Sequence, residues 1–252
     1  MNYFDNLYES GKLSIAFETN GKGFLGYIVE LPGAFVRGSN ENEALSKANA
    51  EANAYLLWLG HKEEYRFDFS VTQRYKSDLM IEDADSEILL DKDRGILNGE
   101  ELKALNSLVF LSAETILSLY QNAEFKDWID ERRIRKTFYG ENPKTVKEIF
   151  DHVNRTQYYY LSRIKLRFPE DETDFLKIRR MCLSEIEKIY HETGNSITYY
   201  VDYESWTLKK VLRRFLWHDR IHAKAITRIL KKQKELNLIR EYSDVFFFGS
   251  LL

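Results

Sequence analysis

Hydrophobic positions along this chain change their period about a third of the way through. Lys12 to Thr19 alternates in strand fashion, and Asn20-Gly21-Lys22-Gly23 then supplies the residue types a tight hairpin turn needs. Phe24 to Leu31 predicts a second strand, stopped by Pro32-Gly33, and Ala34 to Gly38 a short third one. Ser39-Asn40 offers a helix cap with Glu43 three residues after Asn40, so a helix is predicted over 41–59 and closed by Gly60. Arg66 to Val71 alternates again and should rejoin the sheet.

Between Tyr75 and Gly99 the periodicity is lost. Asp78, Glu82, Asp83, Asp85, Glu87, Asp91 and Asp93 make this stretch acidic. Asp91-Lys92-Asp93-Arg94-Gly95 has a faint likeness to a calcium loop but lacks the regular ligand spacing of one, so a solvated linker is expected. Beyond Gly99 the spacing becomes helical. Leu102, Leu105, Val109, Ile116 and Leu119 predict a helix over 100–122. Pro143 should open a second, with Val146, Ile149, Val153 and Tyr160 on one face. Phe175, Ile178, Cys182, Ile186 and Ile189 predict a third over 172–192, and Val211, Phe215, His218, His222, Ile226 and Ile229 a fourth over 203–234.

The expected fold is therefore α+β followed by all-α. A small antiparallel sheet with one helix occupies 1–74, an acidic linker 75–98, and a four-helix bundle 99–252. Composition fits this picture. Of 252 residues, 44% are hydrophobic, enough for a packed core, and 3 prolines suit long helices. The net charge of -3 gives no whole-protein reason to expect nucleic acid. A single cysteine, Cys182, excludes an internal disulfide framework and a cysteine-based zinc cluster. No basic and apolar leader is visible at the N-terminus, and no apolar run approaches the roughly 20 residues that span a bilayer. A cytoplasmic protein without membrane contact is expected. The apolar tail from Val245 to Leu252 should dock on the body of the protein or on a partner subunit.

The candidate chemistry lies on the fourth predicted helix. His218 and His222 stand one turn apart on the apolar seam, between Phe215 and Ile226. Burying two imidazoles in succession is costly unless something binds them, and a divalent ion held by neutral ring nitrogens removes that cost. His152 lies beside Ile149 and Val153 on the second helix and is the candidate third ligand. The chain has 5 histidines, so three of them on inward faces form a notable cluster; His61 and His191, near helix ends, are not read as ligands. Asp151 and Asp219 adjoin the trio and are either carboxylates that orient the imidazoles or solvent-exposed residues.

One histidine midway along helix two and His-x-x-x-His on helix four resemble the DinB/YfiT superfamily. Val146-Lys147-Glu148-Ile149-Phe150-Asp151-His152 and Tyr160-Leu161-Ser162-Arg163-Ile164 carry the same resemblance, over about residues 99–240. It implies a zinc or nickel ion on His152, His218 and His222, and, for some members, thiol-dependent transfer or isomerisation. The chain departs from the pattern at His222-Ala223-Lys224-Ala225-Ile226, where many members carry a further histidine or Gly-Gln. Residues 12–72, with Leu31-Pro32-Gly33, Gly38 and Glu43-Ala44-Leu45 at the matching spacing, resemble a HicB-type antitoxin domain. That resemblance implies a sheet crossed by a helix and a surface for a protein partner or for dimerisation.

Two function classes follow. The first is a metal-dependent hydrolase or thiol-dependent transferase acting on a small-molecule substrate. The alternative is a regulatory or protein-binding protein in which the metal is structural or absent. Cys182 is expected as a small buried hydrophobe rather than a thiol at the metal. Lys209, Lys210, Arg213, Arg214, Arg220, Lys224 and Arg228 are expected on the solvated face of helix four rather than on nucleic acid. Tyr158-Tyr159-Tyr160 and Tyr199-Tyr200 are expected to pack between the helices.

Overall fold

A computed structural model of the chain describes residues 10–137 and 140–252. It combines a small mixed sheet with helices. Strands β1 (Lys12–Thr19), β2 (Phe24–Ile28), β3 (Phe35–Gly38) and β4 (Asp68–Lys76) lie in the order β3-β2-β1-β4. The first three are antiparallel neighbours, but β4 runs parallel to β1, so the expected antiparallel sheet is corrected to a mixed one. The reason is the crossover between β3 and β4, which passes through helices α1 (Glu41–Ser46) and α2 (Ala48–Trp58) and returns the chain in the same direction. The expected single helix is thus two, divided at Lys47. Asn40 Oδ1 accepts from the Glu43 amide, and Glu43 Oε2 reaches back to the Ser39 amide, one residue before the cap rather than to the cap's own amide as in a capping box.

Side-chain alternation buries both faces of the sheet. Ile15, Phe17 and Val36 meet Ala44 and Ala48 on the helical side, while Ala16, Leu25, Tyr27 and Phe35 meet Ile81, Ile88, Leu90 and Trp217 on the other. The second group shows where the sequence reading fails. The stretch expected as a solvated linker is packed: Ile81, Ile88, Leu90 and Leu97 are buried, and Asp93 is buried with them. Its apolar residues pack against the sheet, and part of its charge has partners, Asp93 in Arg213 and Asp83 in Arg135. Asp91–Arg94 forms a single turn, α3.

Four long helices follow: α4 (Gly99–Gln121), α5 (Val146–Ser162), α6 (Phe175–Thr193) and α7 (Leu208–Glu235). Each begins on a side-chain cap, from Asn98, Thr145, Asp174 and Thr207 respectively. The starts at Val146 and Leu208 are later than expected. Pro143 lies before α5 rather than in its first turn, Thr145 caps the helix, and a hairpin of β7 (Tyr199–Val201) and β8 (Glu204–Trp206) precedes α7. A shorter pairing of β5 (Lys136–Thr137) with β6 (Gly140–Glu141) lies before α5. By length and mean hydropathy α4 is long and apolar enough to cross a membrane, which corrects the expectation that no segment is. Its apolar stripe is buried, and the helix packs on α6 and α7.

The α7 helix is the axis of the molecule. One continuous core joins Leu31, Ala52 and Tyr55 from the N-terminal part to Val109, Val153, Ile178, Phe215 and Ile226 of the long helices. Gly33, at φ +89°, turns the chain directly against α7, where a Cβ would stand 2.5 Å from that of Leu216. The tail docks on the body, with Phe246 and Phe248 buried and Phe246 beside Trp58, ring centroids 5.5 Å apart.

Candidate metal centre

Helix α5 supplies His152 and α7 supplies His218 and His222, and the structure brings all three together. One ligand nitrogen from each lies within 4.8 Å of the other two. Nε2 of His152 and Nε2 of His218 are 3.1 Å apart. The ring centroids of His218 and His222 are separated by 4.3 Å, and those of His152 and His222 by 4.7 Å. In a tetrahedral zinc site with Zn–N of about 2.0–2.1 Å, ligand nitrogens stand roughly 3.3 Å apart. The spacing and the all-imidazole donor set therefore fit a small divalent ion.

The electrostatics agree with this. Burial lowers the pKa of His152, and the Arg155 charge lowers it further. His218 is held well below its ordinary value, chiefly by burial and then by its two imidazole neighbours, Arg214 and Arg179. Burial, with His152 beside it, brings His222 down to about 3. At neutral pH all three rings are uncharged and keep a lone pair for a cation. His218 is buried, and His152 and His222 are half-buried. The buried ring of Tyr160 meets His218 edge-on at 5.7 Å.

The two neighbouring carboxylates behave differently. Asp151 is half-buried. Asp219 is fully buried, and neither solvent-exposed nor spare for an imidazole, because both its oxygens accept from Arg179 at 2.9 and 3.1 Å. The same guanidinium donates to Gln157 Oε1 at 2.7 Å and to the Val109 carbonyl at 3.1 Å. One side chain of α6 thus bonds to α4, α5 and α7 together, and its α7 partner, Asp219, is next to His218 in sequence. Sequence reasoning missed this clamp. Its signal was an arginine one position from the apolar seam residue Ile178.

The basic residues of α7 are also corrected. Lys209, Lys210, Arg213, Arg214, Arg220 and Lys224 are buried, and of the seven only Arg228 is exposed. Lys209 pairs with Glu101 at 2.9 Å, Lys210 with Glu204 at 2.8 Å and Arg213 with Asp93 at 2.6 Å. Arg220 and Lys224 share the fully buried Glu51, each at 2.7 Å. The Arg214 guanidinium stacks over Trp217, 4.3 Å from the ring centroid. Because the sheet, the acidic stretch and the other helices surround α7, the polar side of this helix faces protein rather than water.

Elsewhere the expectations divide. Cys182 is fully buried, with its thiol pushed up to about 12 by burial, as a structural cysteine should be. Tyr158 and Tyr160 are buried, whereas Tyr159 and Tyr200 are exposed, with Tyr200 on the hairpin before α7. His191 lies exposed at the end of α6, and among the described residues only His152, His218 and His222 form a histidine cluster. Compared with protein-family models, with curated proteins and with solved structures, the chain matches nothing.

Proposed function

We propose that the protein is a DinB-like metalloprotein in which α4 to α7 form a four-helix bundle and His152, His218 and His222 hold a zinc or nickel ion. The observation that carries this reading is the convergence of three uncharged imidazoles from two helices, α5 and α7, two of them with ring nitrogens 3.1 Å apart. Bound by three histidines, such an ion supplies Lewis acidity at a remaining coordination position, the arrangement of catalytic rather than structural zinc.

The chain's own residues have separable tasks. Tyr160 and Trp217 flank His218 and limit how its ring can turn. The Arg179–Asp219 pair sets the rotation of α7 one residue beyond that ligand. The reaction class this supports is hydrolysis or thiol transfer on a small-molecule substrate. Cys182 is not the thiol, since burial keeps it protonated. The residues 12–72 are read as a HicB-like module that packs on α7 and offers a surface for a protein partner or for a second copy.

The test is the metal content of protein purified without a histidine tag. One divalent ion per chain is expected, and His218→Ala should abolish it while the helical content is kept. A folded protein with no bound ion and no uptake on titration with zinc or nickel would overturn the reading. Co-purification of a stoichiometric small protein on residues 12–72, with no turnover in a thiol-substrate panel, would instead favour a regulatory role.

A further inference from the structure

A cavity lined by described residues lies away from the histidines. It opens between the β2–β3 end of the sheet, the turn at Ile81–Glu82 and α7, with a volume of about 660 Å³. From α7 it takes Ile221, Lys224 and Arg228, about a hundred degrees around the helix from the ligand face. This size suits a ligand the size of a nucleotide or a drug.

Its lining is basic in an acidic protein. Lys22, Arg37, Lys47, Lys224 and Arg228 face it against two carboxylates, Glu43 and Glu82, while the whole chain carries -3. The carboxylates are partly committed. Glu43 binds Lys47 at 2.7 Å, and Glu82 accepts from Asn20 Nδ2 at 2.7 Å. Lys224 is already held by Glu51. Arg37 is different: the partner its guanidinium takes is a backbone carbonyl, that of Glu82, and the nearby Asp83 is paired with Arg135. Burial depresses the Arg37 pKa, and the charges of Arg135 and Arg228 depress it further, the signature of cations crowded together. Lys22, on the hairpin turn, stands exposed at the rim. Phe24 and Phe35 line the same space and supply an apolar wall beside these cations.

We propose that this cavity binds a small organic phosphate, with Arg37 and Lys22 receiving the phosphoryl oxygens and Phe24 and Phe35 the organic part. Arginine suits the fork of a phosphate, and a rim lysine adds a mobile point charge. The apolar wall of Phe24 and Phe35 beside the cations favours a small molecule over a nucleic-acid backbone, which needs an extended basic track.

The test is calorimetric titration of the full-length protein with ADP, with inorganic pyrophosphate and with a short single-stranded oligonucleotide. ADP should bind once per chain and more tightly than pyrophosphate. Arg37→Gln and, separately, Lys22→Glu should each weaken ADP by about tenfold or more, the worth of one charge-assisted hydrogen bond. Lys22 is exposed, so its substitution keeps the test valid if Arg37→Gln does not fold. His218→Ala should leave ADP affinity unchanged, which separates this site from the metal centre. Absence of heat with every probe, affinity that survives both substitutions, affinity lost in His218→Ala alone, or an oligonucleotide that binds more tightly than ADP would each overturn the proposal.

Discussion

Removing Arg179 while keeping Asp219 should be among the most damaging single changes in the long helices. Both side chains are about 1% exposed, and Arg179→Met deletes four hydrogen bonds, two to Asp219 and one each to Gln157 and the Val109 carbonyl. Methionine fills much of the stem volume, so the loss is mainly electrostatic. Asp219 is left as a buried carboxylate without its counter-charge, a situation that costs about 3–5 kcal/mol. Set against a total stability of about 5–15 kcal/mol for a protein, that is a large fraction. The double change Arg179→Met with Asp219→Leu removes both charges, and replacing a buried pair with apolar residues of similar volume is often close to neutral. Urea unfolding followed by circular dichroism, on the two single variants and the double, gives the coupling energy directly. The double should recover most of what Arg179→Met loses. A loss below about 1 kcal/mol in Arg179→Met, or a double variant no more stable than that single, would refute the clamp.

Other expectations concern pH, a second buried pair and the cysteine. All three candidate ligands have folded-state pKa values below the unfolded value near 6.5. Unfolding of metal-free protein therefore takes up protons below that pH. Stability should be complete above about pH 6.5 and fall as pH drops, by up to about 1.4 kcal/mol per pH unit for each histidine. Denaturation at several pH values checks this, and a flat profile between neutrality and pH 5 would be inconsistent with it. Glu51→Gln leaves Arg220 and Lys224 without their buried carboxylate, so it should cost about 3–5 kcal/mol and loosen the docked tail, read as faster proteolysis near Phe246. Burial raises the Glu51 pKa and the two cations outweigh it, holding the group ionised below its usual range. Its contribution is accordingly present above about pH 4.3 and lost as pH falls through the lower folded value. Cys182, with its thiol near 12, should resist a thiol reagent in native protein and react once urea unfolds the chain.

The contrast between the histidines and the lysines and arginines of α7 explains what the sequence could and could not disclose. His152, His218 and His222 were legible because each sits at an apolar spacing on its own helix, and local periodicity reports which face points inward. The strands and the long helices were legible for the same reason, to within a few residues at their ends. Periodicity assigns the remaining side of a helix to water by default, and that default fails where a second layer of protein covers it. Around α7 that layer is built from Glu51, Asp93 and Glu101, which lie far away in the chain, and from Glu204 on the hairpin just before it. Pairings between distant residues leave no period. They do leave a local irregularity at the acidic partner: Glu51 stands in the apolar run Ala50-Glu51-Ala52-Asn53-Ala54, and Asp93 follows Ile88-Leu89-Leu90. A carboxylate set among residues with no reason to be in water is itself a sign of a buried cation elsewhere, because an unpaired buried charge would not be tolerated. By that reasoning Glu51, Asp93, Glu101 and Glu204 on one hand and the basic side of α7 on the other are two halves of one interface. The helix that presents the histidines is then held from both sides, by apolar packing on its seam and by ion pairs on its opposite face. That double restraint fixes the direction His218 and His222 face, since a pair one turn apart on α7 meets His152 of α5 only if α7 itself cannot rotate.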